Sequence, residues 1–242
     1  MFSDVTSHLV YQVLNAPIRE YPFPHFFSTN MFSEAFYAEI MKHMPADDAY
    51  QTLLEQGLVK VSPNMVEVYE QRTVISLHND HIETIDENKR GFWLEFTKIL
   101  SSPYFLTSLL LMFKPWIIDR FGKGVDYNYE VTIDLIRDCQ KWALGPHTDQ
   151  PTNIAVILIY LPSDDTTSYL GTSIYTPKEP GFTCEGGPHH IREKFNCANT
   201  LPYLPNSAVG FFKNNTSFHG VECVKKAGDV RNLIQLTIME KT

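Results

Sequence analysis

The run NIAVILIYL, Asn153 to Leu161, is apolar and largely β-branched throughout. Continuous apolar character of this length reads as a strand buried on both faces. A chain with such a strand must cover it from two sides. Segments that can pair with it follow and precede it. YNYEVTIDLIR alternates, with Val131, Ile133 and Leu135 on one side, and GTSIYT, SAVGFF, FHGVECV and RNLIQLTIM are separated by Pro, Gly, Asn and Asp turn signals. Short strands at this spacing imply a sandwich or barrel. Before residue 125 the periodicity is mostly helical. In MFSEAFYAEIMKHMP, Phe32, Phe36, Ile40 and Met44 recur every four residues, Asn30 or Ser33 can cap the helix, and Pro45 ends it. A second helix is predicted from about Asp86 to Leu100. A third begins at Ser102-Pro103, and Pro115 must kink or split it. The expected picture is one domain over 1–242, with a helical support region at 1–125 and a β core at 126–242.

Composition narrows the partners. Twenty Lys and Arg face 28 Asp and Glu, a net charge of -8. Phosphate binding rests on basic patches, so nucleic acid is not an expected partner. The four cysteines, Cys139, Cys184, Cys197 and Cys223, form no CxxC pair, which argues against a zinc ribbon or a thioredoxin-like motif. Their scarcity suits a reducing compartment. MFSDVTSHLV lacks the cationic start and apolar run of a signal peptide, and the longest apolar runs are too short to span a bilayer. These features predict a soluble cytoplasmic protein with no membrane partner.

Chemistry concentrates near GPHTDQ, Gly145 to Gln150. Residues i and i+2 of a strand share a face, so His147 and Asp149 can reach one ion while Thr148 points away. Alone, HxD is a common strand-end pair. A second histidine, His219, opens FHGVECV. KKAGD supplies a turn, and RNLIQLTIM returns, which reads as a hairpin with Arg231 opposite a residue near Glu222. That offset separates Arg231 from His219 by about 10 Å along the strand. Guanidinium is the natural clamp for a carboxylate. Two imidazoles and one carboxylate on one side of an ion leave its other positions open, the arrangement used by non-haem Fe(II) oxygenases.

HTD, then the histidine of SFHGV, then Arg231, in that order within β-rich sequence, resembles the 2-oxoglutarate/Fe(II)-dependent dioxygenases. YPFPHFF followed by a helix is similar to the entry of their prolyl-hydroxylase-like members. The resemblance implies a double-stranded β-helix, or jelly roll, over roughly Val131 to Met239, preceded by the helical layer. It implies Fe(II) held by His147, Asp149 and His219, which are then the catalytic residues. It further implies 2-oxoglutarate as co-substrate, its C5 carboxylate on Arg231, and dioxygen as oxidant. The substrate would be a small molecule or peptide, hydroxylated at a C–H bond with release of succinate and CO2. Two positions depart from the family pattern. Leu233 stands where many members carry Ser or Thr. Arg137 and Asp138 stand where prolyl-hydroxylase-like members often carry a tyrosine. The expectation is therefore that Tyr129 and Arg137 join Arg231 in holding the co-substrate. Thr237 stands where base-repair members usually carry a second arginine, which argues against that branch.

The competing reading is a non-catalytic jelly-roll module that binds a sugar or small molecule around a vestigial metal. Arg231 weighs against it, because an inward arginine needs an anion. That anion is the co-substrate carboxylate or, more plainly, a structural partner at Asp134 or Asp138. His25 reads as a satisfied buried histidine, His78 and His81 as part of a surface turn, and Trp142 as core or pocket wall. His189 and His190 are adjacent, and neighbours on a strand diverge, so both are not expected on one ion. The weakly patterned span 176–205 reads as a long loop that covers the iron face.

Overall fold

The computed structural model describes residues 4–57, 69–123, 128–187 and 189–241. The boundary expected near residue 125 lies outside these residues. In chain order, helix α1 covers Val5–Leu14, strand β1 His25–Thr29, α2 Glu34–Lys42, β2 Gln51–Thr52, β3 Arg72–Ser76 and α3 Glu87–Leu100. Then come α4 Pro103–Met112, α5 Lys114–Phe121, β4 Tyr129–Asp138, β5 Leu144–His147, β6 Asn153–Tyr160 and β7 Thr172–Pro177. The chain ends with β8 Phe195–Leu201, β9 Ser207–Phe212, β10 His219–Val221 and β11 Arg231–Glu240.

Two antiparallel sheets form. The large one runs β1-β9-β6-β11-β4-β3-β2 and the small one β5-β10-β7-β8. They face each other as a double-stranded β-helix, and the helices cover the outer face of the large sheet. The strand β6 serves both interfaces. Ile154, Ala155, Ile157 and Ile159 enter the core beneath the helices, while Val156, Leu158 and Tyr160 enter the core between the sheets. Every residue of β6 is buried, as its unbroken apolar run requires. β11 and β4 divide in the same way. Ile234, Leu236 and Ile238, with Ile133 and Leu135, face the helices, and Leu233 and Ile136 face the small sheet.

Local signals account for the helix ends. Ser33 caps α2 by accepting from the Phe36 backbone N–H at 3.3 Å, and Ser102 caps α4 from Phe105 at 3.4 Å. Pro115 splits the third helix rather than kinking it, so α4 and α5 are separate. Phe36 and Phe92 pack with Phe96, and Trp93 anchors by donating to the His43 carbonyl at 2.7 Å.

Two expectations are corrected. The first 125 residues are not only helical, because β1 extends one edge of the large sheet and β3 with β2 the other. And β10 and β11 are not a hairpin. Both edges of β10 are taken by β5 and β7, while β11 lies between β6 and β4. The KKAGD turn, with Gly228 at φ 85°, therefore carries the chain from one sheet to the other. None of the described helices is long and apolar enough to cross a membrane. Phe96→Ala, which empties the centre of the aromatic cluster beneath the large sheet, should lower unfolding free energy by about 3–5 kcal/mol. Urea denaturation measures it, and a loss under 1 kcal/mol would mean the helical layer contributes little to folding.

Candidate metal centre and its cavity

His147 ends β5 and His219 opens β10, and antiparallel pairing sets them directly opposite. Directly paired residues point to the same face, so two histidines remote in sequence bring their rings to 4.3 Å between centroids. Asp149, just past the end of β5, completes the group. Its Oδ1 lies 3.6 Å from Nε2 of both histidines. One potential ligand atom from each residue lies within 4.8 Å of the others. Thr148 points away, as expected, and donates to the Cys184 carbonyl at 2.8 Å.

The donor set fits a divalent cation. Nδ1 of His147 and Nδ1 of His219 each lie 3.0 Å from a backbone carbonyl, Gly145 and Ser217 respectively. A carbonyl only accepts, so each Nδ1 carries the proton and each Nε2 presents a lone pair to the shared centre. Burial pushes the His219 pKa down to about 4, which keeps that ring neutral and able to ligate. Burial alone would raise the Asp149 carboxyl, but His219, His147 and Lys213 outweigh it and hold it below the usual range. The second oxygen of Asp149, Oδ2, is buried with no hydrogen-bond partner among the described residues. An orphaned carboxylate oxygen is costly unless something cationic meets it.

Close approach of backbones makes this pairing possible. A Cβ on Gly220 would lie 2.4 Å from the Leu144 carbonyl, and one on Gly186 would lie 2.7 Å from the Asp149 carbonyl. Arg192 fastens the two ligand strands from outside, donating to the Leu144 carbonyl at 3.0 Å and the Val221 carbonyl at 2.6 Å. Phe211 packs on the His219 ring with centroids 4.4 Å apart.

From this centre a cavity of about 120 Å³ runs between the sheets to Arg231. Its walls include Val156, Leu158, Leu233, Gln235, Thr172 and Arg72. Arg231 is almost wholly buried and projects inward with Leu233 and Gln235, which share its face of β11. It donates through Nε to the Leu170 carbonyl at 2.7 Å, through Nη1 to Asp138 at 2.8 Å, and through Nη2 to Thr172 Oγ1 at 3.3 Å. Asp138 is thus the structural anion foreseen as one alternative. Burial works against the Arg231 charge, but Asp138, Tyr160 and Tyr203 more than restore it.

The other expected co-substrate residues lie elsewhere. Tyr129 packs against the core beneath the helices, and Arg137 reaches Asp47 at 2.8 Å. Both share strand parity with Ile133 and Leu135, so the pleat turns them away from the cavity. The side chains grouped with Arg231 are Asp138 and Thr172 directly, Arg72 through Asp138 and Tyr160 through Thr172. Tyr160 donates to Thr172 Oγ1 at 2.6 Å and accepts from the Thr172 backbone N–H at 3.1 Å. Tyr160 was not readable, because the unbroken apolar run of β6 does not say which of its faces meets the small sheet. Neither was Arg72, since nothing local indicates that β3 pairs with β4.

His189 lies outside the ligand group, its ring centroid 6.3 Å from that of His147, and Tyr69 meets its Nε2 at 3.1 Å. His190 is enclosed by Phe182, Phe195 and Phe218. His25 is buried and bonded to the Phe23 carbonyl at 2.7 Å. Trp142 is buried under Arg72, with the guanidinium carbon 4.2 Å from its ring centroid. The span 176–205 is not one loop, since it contains the end of β7 and all of β8. The connection between them is tied beside the ligand strands. Lys213 donates to the Glu185 carbonyl at 2.7 Å, and the His190 N–H reaches the Pro146 carbonyl at 2.7 Å.

Among solved structures, the α-ketoglutarate-dependent epimerase SnoN from nogalamycin biosynthesis superposes with a TM-score of 0.53 at 9% identity, covering 98% of this chain and 84% of that one. A prolyl 4-hydroxylase from Phytophthora capsici superposes with a TM-score of 0.52 at 13% identity, covering 99% and 67% respectively. The chain has the fold of the 2-oxoglutarate/Fe(II) oxygenases. No family model and no curated protein sequence matches it. The oxygenase-fold chain thus shares with these structures an architecture at very low identity.

Gly220→Ala is expected to force β10 from β5 and so to separate the two histidines. It should destabilise the fold by about 1–3 kcal/mol and weaken Mn(II) binding in the same protein. Urea unfolding and calorimetric Mn(II) titration measure the two effects. Unchanged metal affinity would show that the β5–β10 spacing does not set the centre.

Proposed function

We propose that the chain is a non-haem Fe(II)- and 2-oxoglutarate-dependent oxygenase that hydroxylates a C–H bond of an amino acid, a peptide side chain or a small metabolite. The observation that carries this reading is the joining of two features by one cavity. At one end stand His147, Asp149 and His219 with an orphaned carboxylate oxygen, and at the other a buried arginine. A structural metal alone needs no such channel.

His147 and His219 would hold Fe(II) through Nε2, and Asp149 through its carboxylate. Bound there with 2-oxoglutarate and dioxygen, Fe(II) supplies the oxidative chemistry that turns substrate C–H into C–OH and yields succinate and CO2. The remaining work belongs to the chain. The backbone carbonyls of Gly145 and Ser217 fix the tautomers of the two rings. Val156, Leu158, Phe211 and Leu233 line the middle of the cavity with apolar surface, which excludes water and strengthens every charge contact at the two ends. Arg231 would orient the co-substrate by its far carboxylate. Its fork presents five N–H groups, of which three are used within the protein, so one on each terminal nitrogen has no acceptor among the described residues. The dioxygen and the organic substrate are the remaining partners of this reading.

Anaerobic titration with Fe(II) should reveal one tight site per chain, lost in Asp149→Ala, which removes the only anionic ligand. Adding 2-oxoglutarate should then produce iron–oxo-acid charge-transfer absorption, and dioxygen should produce succinate when an amino acid and peptide library contains the substrate. A protein that binds iron but neither develops that absorption nor consumes 2-oxoglutarate would be the jelly-roll binding module instead.

A further inference from the structure

The far end of the cavity holds two arginines and one carboxylate. Asp138 is fully buried on β4 and accepts three charge-assisted hydrogen bonds. Arg72 of β3 donates Nε to Oδ1 at 2.6 Å and Nη2 to Oδ2 at 2.8 Å, a bidentate fork. Arg231 of β11 donates to the same Oδ2 at 2.8 Å. β4 lies between β3 and β11 in the large sheet, and the register pairs both Arg72 and Arg231 with Asp138. The Arg72 guanidinium carbon lies over the Trp142 ring, 4.2 Å from its centroid, and Tyr69 meets that indole edge-on at 5.5 Å.

The charge count matters more than any single contact. Arg231 and Asp138 alone would form a neutral buried pair. Such a pair has no electrostatic need of a ligand, and it is the reason a structural role for Arg231 is credible. With Arg72 added, the cluster of these three side chains carries one net positive charge among the described residues and packs with Tyr160, Tyr203 and Leu233; the next carboxylate on that face of β4, Asp134, is bonded to Ser76 instead. An uncompensated buried charge is expensive, and an incoming anion relieves it. The donors for that anion are in place. Arg231 keeps an N–H on each terminal nitrogen, and Thr172 Oγ1 already accepts from both Tyr160 and Arg231, so its own proton is available.

We propose that Arg72 is a positioning residue for the co-substrate. It neutralises Asp138, so that Arg231 retains a full charge for the far carboxylate. The inference rests on the oxygenase reading for the identity of the anion, and concerns residues outside the metal ligands. Arg72 need not touch the ligand, because its effect passes through Asp138.

The test is a charge-rescue cycle read as binding rather than activity. Wild type, Arg72→Gln, Asp138→Asn and the double variant are loaded anaerobically with Fe(II) and titrated with 2-oxoglutarate by calorimetry and charge-transfer absorption. Arg72→Gln should weaken 2-oxoglutarate by at least about tenfold while Fe(II) affinity holds, since the half-buried charge it removes is paired with the fully buried Asp138. Asp138→Asn should bind at least as tightly as wild type. The double variant, which restores one net positive charge, should return to within about threefold of wild type, as charge-set coupling requires. Circular dichroism and thermal unfolding establish that each variant is folded. Should Arg72→Gln fail to fold, Arg72→Lys replaces it: a charge that suffices will keep 2-oxoglutarate affinity near wild type, and a tenfold loss overturns the charge argument. Equal affinity in wild type and Arg72→Gln overturns the inference, as does a folded double variant without rescue. Wild type that binds Fe(II) but no 2-oxoglutarate overturns the oxygenase reading itself, a result visible before any variant is compared.

Discussion

The pairing of His147 with His219 across β5 and β10 is the constraint on which the rest of the site depends. Direct opposition in an antiparallel pair puts both rings on one face at close range. A slip of one residue would send one ring to the other face. The register is held from several sides: Gly220 permits the backbones to approach, Arg192 bonds both strands, and β7 occupies the other edge of β10 with His219 opposite Ile174. The large sheet then supplies the floor. Phe211 and Val156 come from strands whose alternate residues are locked into the helix-side core, so the floor cannot shift without disturbing that core.

This rigidity gives the cavity a fixed electrostatic axis. The anionic carboxylate of Asp149 lies at one end, and the Arg72–Asp138–Arg231 cluster lies at the other. Between them the lining is mainly apolar, and charges in such surroundings act more strongly than in water. The axis favours a molecule that is a ligand for a cation at one end and an anion at the other. It disfavours a neutral sugar, which offers no charge to relieve Arg231. That is the physical ground for preferring the co-substrate reading over a simple binding module.

Much of this was legible in the sequence, and the reasons for the rest are specific. The double burial of β6, the Ser33 and Ser102 caps, and the break at Pro115 each follow from local chemistry. The need of an inward Arg231 for an anion, with Asp138 as one candidate, was equally readable. The same parity rule should have excluded Tyr129 and Arg137, because Val131, Ile133 and Leu135 had already assigned odd positions of that strand to the apolar side. The hairpin between β10 and β11 was a false inference from proximity in sequence. Strands joined by a short turn usually pair, but here each already had two partners in different sheets. Arg72 was invisible because its role arises from long-range register. Nothing within QRTVIS says which strand it will lie beside or that a buried aspartate waits opposite.

The departure at Leu233 now has a structural context. Many members of the family whose fold it shares place a hydroxyl two residues after the arginine, on the same strand. Here that position is an apolar side chain packed between the sheets. The hydroxyl near Arg231 instead comes from the opposite sheet, from Thr172 on β7, and it is held in place by Tyr160 on β6. A hydroxyl on β11 would be positioned by the same strand that carries the arginine. A hydroxyl on β7 fixes the distance between the two sheets, because Arg231 Nη2, Thr172 Oγ1 and Tyr160 Oη must meet across the gap. The Arg231 Nε bond to the Leu170 carbonyl, just before β7, has the same effect. Closure of the cavity's far end and orientation of its guanidinium are therefore one set of hydrogen bonds. That coupling gives a reason for the substitution: this chain uses the Arg231 end of its cavity to join its sheets, and Leu233 is free to fill the space a smaller polar residue would have left.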